Sequence, residues 1–434
     1  MRNLILLFSV IATSLLVFLT VSSSSEARDQ NSSILDPGFN PLVTQTRSID
    51  KTVTAVAIQN DGKVILVGNI LAINNEPCRG IARVNTDGSK DTGFESAIRY
   101  GVTRVKIAPN GKILVAGDFR TANGSPRHGI ARLNSDGSID TTFDAGSGPN
   151  SDVEDIAIQP DGKIIIGGFF TSVGAASRRY LARLNSNGSV DSSFNPGTSI
   201  DQPVYSILAQ ANNTILIAGS FTRIGTTSRN GIARLTSTAA LDASFSVGTG
   251  LRSGTASGAG LSMIEQPDGK IIVGGSFDKY NEVPRLGTAR LNSDGVIDTS
   301  FVGNVNGTVN VLALSGNGEV FIGGSFTQLN GMSANGLART TGTGVFLNGF
   351  STYTPNTQVI SLSLDQGGLP VASAVHNSSI FERRNPVVRH ALAGSPDSSF
   401  NLLVDSPADI RSISIQSDGR VLVTGGISRV NGVF

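Results

Sequence analysis

The sequence predicts an all-β fold, a β-propeller of four-stranded antiparallel blades. Three observations carry this prediction. A unit of roughly 50 residues recurs along the chain, each unit holds two turn signals between apolar runs, and the composition suits short strands. The 434 residues include 51 glycines, three methionines and no tryptophan, which fits strands and tight turns better than long helices. A single ordinary core would not serve a chain of this length, whereas stacked repeats extend one core from unit to unit.

The N-terminus comes first. Arg2 followed by the apolar run Leu4 to Val21 reads as an export segment, and Ser25-Glu26-Ala27 offers a small-x-small cleavage site. Residues 1–27 are therefore expected to be a signal peptide, with an uncleaved N-terminal anchor as the alternative, and residues 28–434 a single propeller domain. Membrane contact is expected only through this segment, if it stays uncleaved. The expected location is secreted or cell envelope, in the periplasm or at the cell surface. Cys78 stands alone, so no intramolecular disulfide is expected.

The unit reads most clearly from Val153 to Phe194. An alternating strand leads to a Pro-Asp-Gly-Lys turn, then an apolar strand ending in Gly-Gly, a loop, Ala-Arg-Leu-Asn, a second turn and Asp-x-x-Phe. The first turn recurs as Asp61-Gly62-Lys63, Asn110-Gly111-Lys112, Asp161-Gly162-Lys163, Asp268-Gly269-Lys270, Asn317-Gly318-Glu319 and Asp418-Gly419-Arg420, with degenerate copies at Asn212-Asn213 and Gly367-Gly368. Asp-Gly and Asn-Gly between apolar strands mark hairpins, because the turn needs positive φ where glycine carries no side chain. The strand after the turn, such as Ile164-Ile165-Ile166, is apolar throughout and should be buried on both faces. A second hairpin at Arg183-Leu184-Asn185-Ser186-Asn187-Gly188 brings the unit to four strands.

Together the Gln-Pro-Asp-Gly-Lys turn, Gly-Gly-Ser-Phe, Ala-Arg-Leu-Asn-Ser-Asp-Gly and Asp-Thr-Ser-Phe resemble the delta-60 repeat family of bacterial proteins. The resemblance spans nearly the whole mature chain. It implies a β-propeller of unknown activity and supplies no catalytic residues to carry over.

The closing phenylalanines, Phe39, Phe94, Phe143, Phe194, Phe245, Phe301, Phe350 and Phe400, recur every 49 to 56 residues. Eight blades are expected from them, with seven as the alternative. Each Phe should sit between neighbouring blades. The chain ends at Phe434 after a first hairpin, while Leu35-Asp36-Pro37-Gly38-Phe39 is the tail of a unit. The termini are thus expected to close one blade, Leu35 to Phe39 completing the unit begun at Ile410, with a truncated chain as the competing explanation.

An Arg and an Asp eight residues apart recur at Arg83/Asp91, Arg132/Asp140, Arg183/Asp191, Arg234/Asp242, Arg290/Asp298 and Arg389/Asp397. Such regularity predicts a structural pair across the second hairpin. The unit of Arg339 carries Leu347 at the acidic position and is expected to be looser. Oxygen-bearing turns such as Asn134, Asp136 and Asp140 are better explained as Asx turns than as calcium loops, since they lack the distal Glu of an EF-hand. His128, His376 and His390 lie in different units without metal-ligand spacing. No zinc-protease motif or nucleophile elbow is present, and the Asp-Gly-Lys turns precede strands rather than the helix of a phosphate loop.

No catalytic, cofactor-binding or metal residues are assigned, no cofactor is expected, and the binding residues are left open. A formal net charge of +1 argues against a nucleic-acid partner. Two departures from the repeat are the places to look for function: the insertion Gly248 to Gly260 with Arg252, and the divergent stretch Val371 to Arg389 with Ala374-Val375-His376 and Arg383-Arg384. The expected function is a non-enzymatic, monomeric binding or scaffold module for a protein or glycan partner. The alternative is an extracellular polymer hydrolase or lyase using carboxylates gathered at the channel mouth, and a purely structural surface-layer element is a third reading.

Overall fold

A computed structural model describes residues 101–122, 124–196 and 199–349 as continuous stretches. Before them it describes 53–59, 61, 63–68, 72–73, 76–78, 80–85 and 90–98; after them, 357–364, 368–376, 387–389, 391–393, 395, 404–405, 410–415, 421–425 and 429–430. The described residues contain strands and turns and no helix.

Eight first strands open the repeats: Val53–Ile58, Val102–Ile107, Val153–Ile158, Val204–Ala209, Ala259–Glu265, Thr308–Leu314, Thr357–Leu364 and Ile410–Ile415, taken here as units 1 to 8. Each pairs antiparallel with a second strand, as Val153–Ile158 does with Ile164–Gly168. In units 1 to 7 a third strand, Leu181–Leu184 in unit 3, pairs on the far side of the second. First strands of successive units pack on one another in chain order, and that of unit 8 lies against those of units 7 and 1. This radial stacking of sheets is a β-propeller, with the first strands innermost. Leu35 to Phe39, expected to complete the last blade, lie outside the described residues.

The second strands of units 1 to 4 are apolar throughout because both of their faces are inside. Ile164 and Ile166 pack with Leu114 and Ala116 of unit 2, while Ile165 points the other way, onto Val204 and Ile207 of unit 4. Full burial is worth about 1.5–3 kcal/mol for each such side chain. Phe94 likewise packs with Ile65 and Val67 of its own unit and with Val102 and Ile113 of the next, and so fills the gap between blades.

Two features refine the sequence reading. The segment read as a loop after Gly-Gly carries a small hairpin of its own, Ser172–Val173 with Ala176–Ser177 in unit 3. The fourth strand is short: a single bridge, Leu184 with Val190 in unit 3, and among the described residues a full strand only in unit 6, Phe346–Gly349. The chain leaves the ladder early because the Asp191 carboxylate accepts the Ser193 N–H, starting the turn that carries Phe194 inward.

Each first strand also contains a β-bulge near its start, between Val153 and Asp155 in unit 3. In unit 3 this bulge leaves no room for a side chain across the ladder, whereas in unit 7 Ala374 stands opposite it. A Cβ on Gly168, opposite the bulge, would lie 2.1 Å from the Asp152 carbonyl oxygen. At the other end of the strand pair, Gly162 holds φ 80° in the Asp-Gly-Lys turn, as the sequence predicts.

Candidate functional site

The two ends of the blades differ in character. At the end formed by the Asp-Gly-Lys turns, one cassette repeats. Arg83, Arg132, Arg183, Arg234 and Arg290 each sit 2.7 or 2.8 Å from the Asp eight residues later. Each guanidinium also covers the closing Phe, 4.7 Å from the ring centre for Arg183 and Phe194. A third member was not legible in the Arg/Asp spacing: the turn lysine, with Lys163 Nζ 2.9 Å from Asp191 and Lys270 Nζ 2.8 Å from Asp298. Arg83, Arg132, Arg234 and Arg290 further donate to a carbonyl of the next unit's second turn, those of Ser135, Ser186, Ser293 and Gly342. The cassette thus fastens each blade internally and to its neighbour. Asp397, the acid of the last sequence pair, lies outside the described residues.

Unit 6 arranges the pair differently. Leu347 stands where other units have the Asp, yet Arg339 keeps an acidic partner. Glu319, standing where other turns have lysine, accepts from Arg339 Nε at 2.9 Å and Nη2 at 2.6 Å. The acid has moved from the second hairpin to the first, and Arg339 Nη1 still reaches the Leu392 carbonyl at 2.7 Å.

Burial alone would raise the carboxyls of Asp140, Asp191 and Asp298. Hydrogen bonds from Thr142, Ser193 and Ser300 and from the paired Lys and Arg outweigh it and hold all three well below the usual range. The folded state then binds fewer protons than the unfolded state, whose carboxyls titrate near 3.8. The resulting stabilisation is complete above that pH and is lost as pH falls below it. Urea midpoints should accordingly drop between about pH 4.5 and 2.5. A variant combining Asp140→Asn, Asp191→Asn and Asp298→Asn should be less stable at neutral pH and show a shallower acid slope.

The opposite end carries the small hairpins and the bulges, and there the units differ. The residue after the second strand's last glycine is Asp118, Phe169, Ser220, Ser276 and Ser325 in units 2 to 6, and the residue two before the third strand is His128, Arg179, Asn230, Leu286 and Asn335. Between units 2 and 3 the hairpin face opens into a cleft of about 300 Å³ lined by Asp118, Arg120, His128, Ser147 and Ser151, among others. Among the described residues the side chains of Asp118, Arg120 and His128 have no hydrogen-bond or ion-pair partner.

The gap between units 3 and 4 is different. There Phe169, 43% exposed, meets Tyr205 with ring centres 6.0 Å apart. Tyr205 occupies the bulge of its first strand. Tyr180, where neighbouring units have glycine, holds φ 63°, a strained value for an aromatic residue.

Other sequence candidates are structural or fall outside this face. Within the insertion, Leu251–Ser253 and Ala256–Ser257 extend the unit 5 hairpin into a four-stranded sheet. Arg252 there donates to the Thr255 carbonyl. His376 ends a strand pairing with Thr357, and Arg383, Arg384 and His390 lie outside the described residues. Burial pushes the Cys78 thiol up to about 12, despite Lys90 nearby, so it stays protonated at neutral pH. No group of three metal-ligating side chains occurs among the described residues.

Radially stacked sheets with a repeated latch on one face and varied residues on the other define a β-propeller with two chemically distinct ends. Residues 59–94, 108–143, 159–194, 210–245 and 266–301 match the model of a β-propeller domain of unknown function, DUF5122, the repeat type that the delta-60 motifs resemble. No curated protein sequence matches it. Among solved structures it is similar to the C-terminal WD40 domain of Sif2, at 10% identity and TM-score 0.51 over 88% of this chain and 95% of that one. Weaker likenesses are to a virginiamycin B lyase from Staphylococcus aureus (12% identity, TM-score 0.44, 77% of this chain and 95% of that one) and to PorZ, a surface component of the Porphyromonas gingivalis type-IX secretion system (11%, 0.45, 89% and 56%).

Proposed function

We propose that the protein is a non-enzymatic binding module, exported to the cell envelope or beyond, which presents the hairpin face of an eight-bladed ring to a protein or glycan partner. One observation carries the reading: on the hairpin face units 2 and 3 hold Asp118 with His128 and Phe169 with Arg179 where units 4 to 6 share a serine and mostly an asparagine, while the turn face repeats the Arg–Asp pair through units 1 to 5. Positions that serve only the fold are free to repeat; unlike residues at equivalent positions make one sector of the ring chemically distinct. Export is supported by the apolar run Leu4 to Val21. Eight blades are supported by the packing of the unit 8 first strand against that of unit 1.

A hydrolase or lyase would need free carboxylates from several units converging on one point. Several acids on and beside the first strands are instead engaged. Glu154 is held by Arg104 at 2.6 Å, Asp155 accepts from the Ile156 and Ile207 amides, and Asp201 accepts from Thr222.

Binding of the labelled exported chain to bacterial envelope fractions tests the proposal. A hairpin-face variant, Asp118→Ser with His128→Asn and Phe169→Ser, should bind at least about tenfold more weakly, a loss of about 1.4 kcal/mol. A turn-face variant, Asp161→Asn with Asp268→Asn, should bind as the parent does. Equal behaviour of the two variants would overturn the assignment of the face.

A further inference from the structure

We propose that the hairpin face between units 2 and 4 is a saccharide site, in which the cleft holds a neutral sugar ring through Asp118, Arg120 and His128, and Phe169 supplies an apolar stacking surface beside it. The inference rests on the binding reading above and names its ligand class.

The cleft's size and chemistry select the ligand. About 300 Å³ is at the small end of ligand pockets and suits one sugar ring rather than a folded partner's side. Its groups, unpartnered among the described residues, are complementary in kind: the Asp118 carboxylate only accepts, the Arg120 guanidinium only donates, and His128 and the Ser147 and Ser151 hydroxyls can do either. A sugar hydroxyl both donates and accepts, so adjacent hydroxyls can satisfy this mixture. An anion would meet Asp118 and a cation Arg120, whereas a neutral polyol meets neither penalty.

The neighbouring gap supplies what a polar cleft lacks. The Phe169 N–H donates to the Asp152 carbonyl at 2.8 Å, one residue from Ser151 in the cleft lining. Its ring is exposed and braced by Tyr205, whose hydroxyl accepts from Ser220 Oγ at 3.3 Å. An aromatic face offers a flat apolar surface to the C–H side of a pyranose. Other units show that the fold does not require these residues, since Ser220 and Asn230 fill the Asp118 and His128 positions in unit 4.

The test uses the purified exported chain and calorimetric titration with cellobiose, maltose, lactose and N,N′-diacetylchitobiose as neutral probes and digalacturonate as an acidic one. At least one neutral disaccharide should bind with a Kd of about 1 mM or tighter. Asp118→Ser with His128→Asn, which installs the unit 4 residues, should weaken that binding at least about tenfold with an unchanged urea midpoint, and Phe169→Ser should weaken it independently. Saturation by none of the neutral probes, binding of digalacturonate alone, or undiminished binding by the cleft variant would each overturn the inference. If envelope binding still depends on the hairpin face while no sugar binds, the saccharide assignment fails and the binding-module reading stands; loss of that dependence as well sinks both.

Discussion

Asp191→Ala should destabilise the protein by about 3–5 kcal/mol, because it strands a buried guanidinium without its counter-ion. The Arg183 side chain is only 4% exposed and that of Asp191 7%. Removing the carboxylate also leaves Lys163 beside Arg183, two like charges with nothing between them. The same change in unit 4, Asp242→Ala, should cost less. There Thr214 replaces the turn lysine, Asp242 is somewhat more exposed, and Arg234 keeps its bond to the Ser293 carbonyl. Urea unfolding of the two variants checks the order, and equal losses would show that the lysine adds no repulsion when the acid is removed.

The contrast between units 3 and 4 shows what sequence reading could reach. Arg183 and Asp191 are eight residues apart and join one hairpin, so their pairing was legible. Lys163 is 28 residues from Asp191 and joins it only because the second strand pairs with the third in the register Ile165 to Arg183. The bulge had left a trace: Val153, Ile156 and Ile158 are not evenly spaced, and the three-residue step is the extra residue. The cleft left less. Asp118, Arg120 and His128 fall in segments of one unit that resemble loops, and the Ser147 and Ser151 side of the cleft comes from the link to the next unit. Their meaning emerges only when equivalent positions of neighbouring blades are compared around a ring, which needs the strand register.

Unit 6 allows the latch to be tested by moving its charge. Glu319→Lys restores the residue other turns carry, yet should destabilise the protein by about 3 kcal/mol, because Leu347 leaves no acid to balance either the introduced ammonium or the Arg339 guanidinium. Leu347→Asp alone should do little, since Arg339 already holds Glu319 with two hydrogen bonds and a second carboxylate beside it brings repulsion as well as attraction. Combined, the two changes recreate the Lys, Arg and Asp set of units 1, 2, 3 and 5, and the double variant should recover most of the loss. The interaction energy from the cycle is therefore expected to be favourable and about 1–3 kcal/mol. Additive effects would mean that the position eight residues after Arg339 cannot reach it, and that the exchange of lysine for glutamate in unit 6 was not compensation for the missing aspartate.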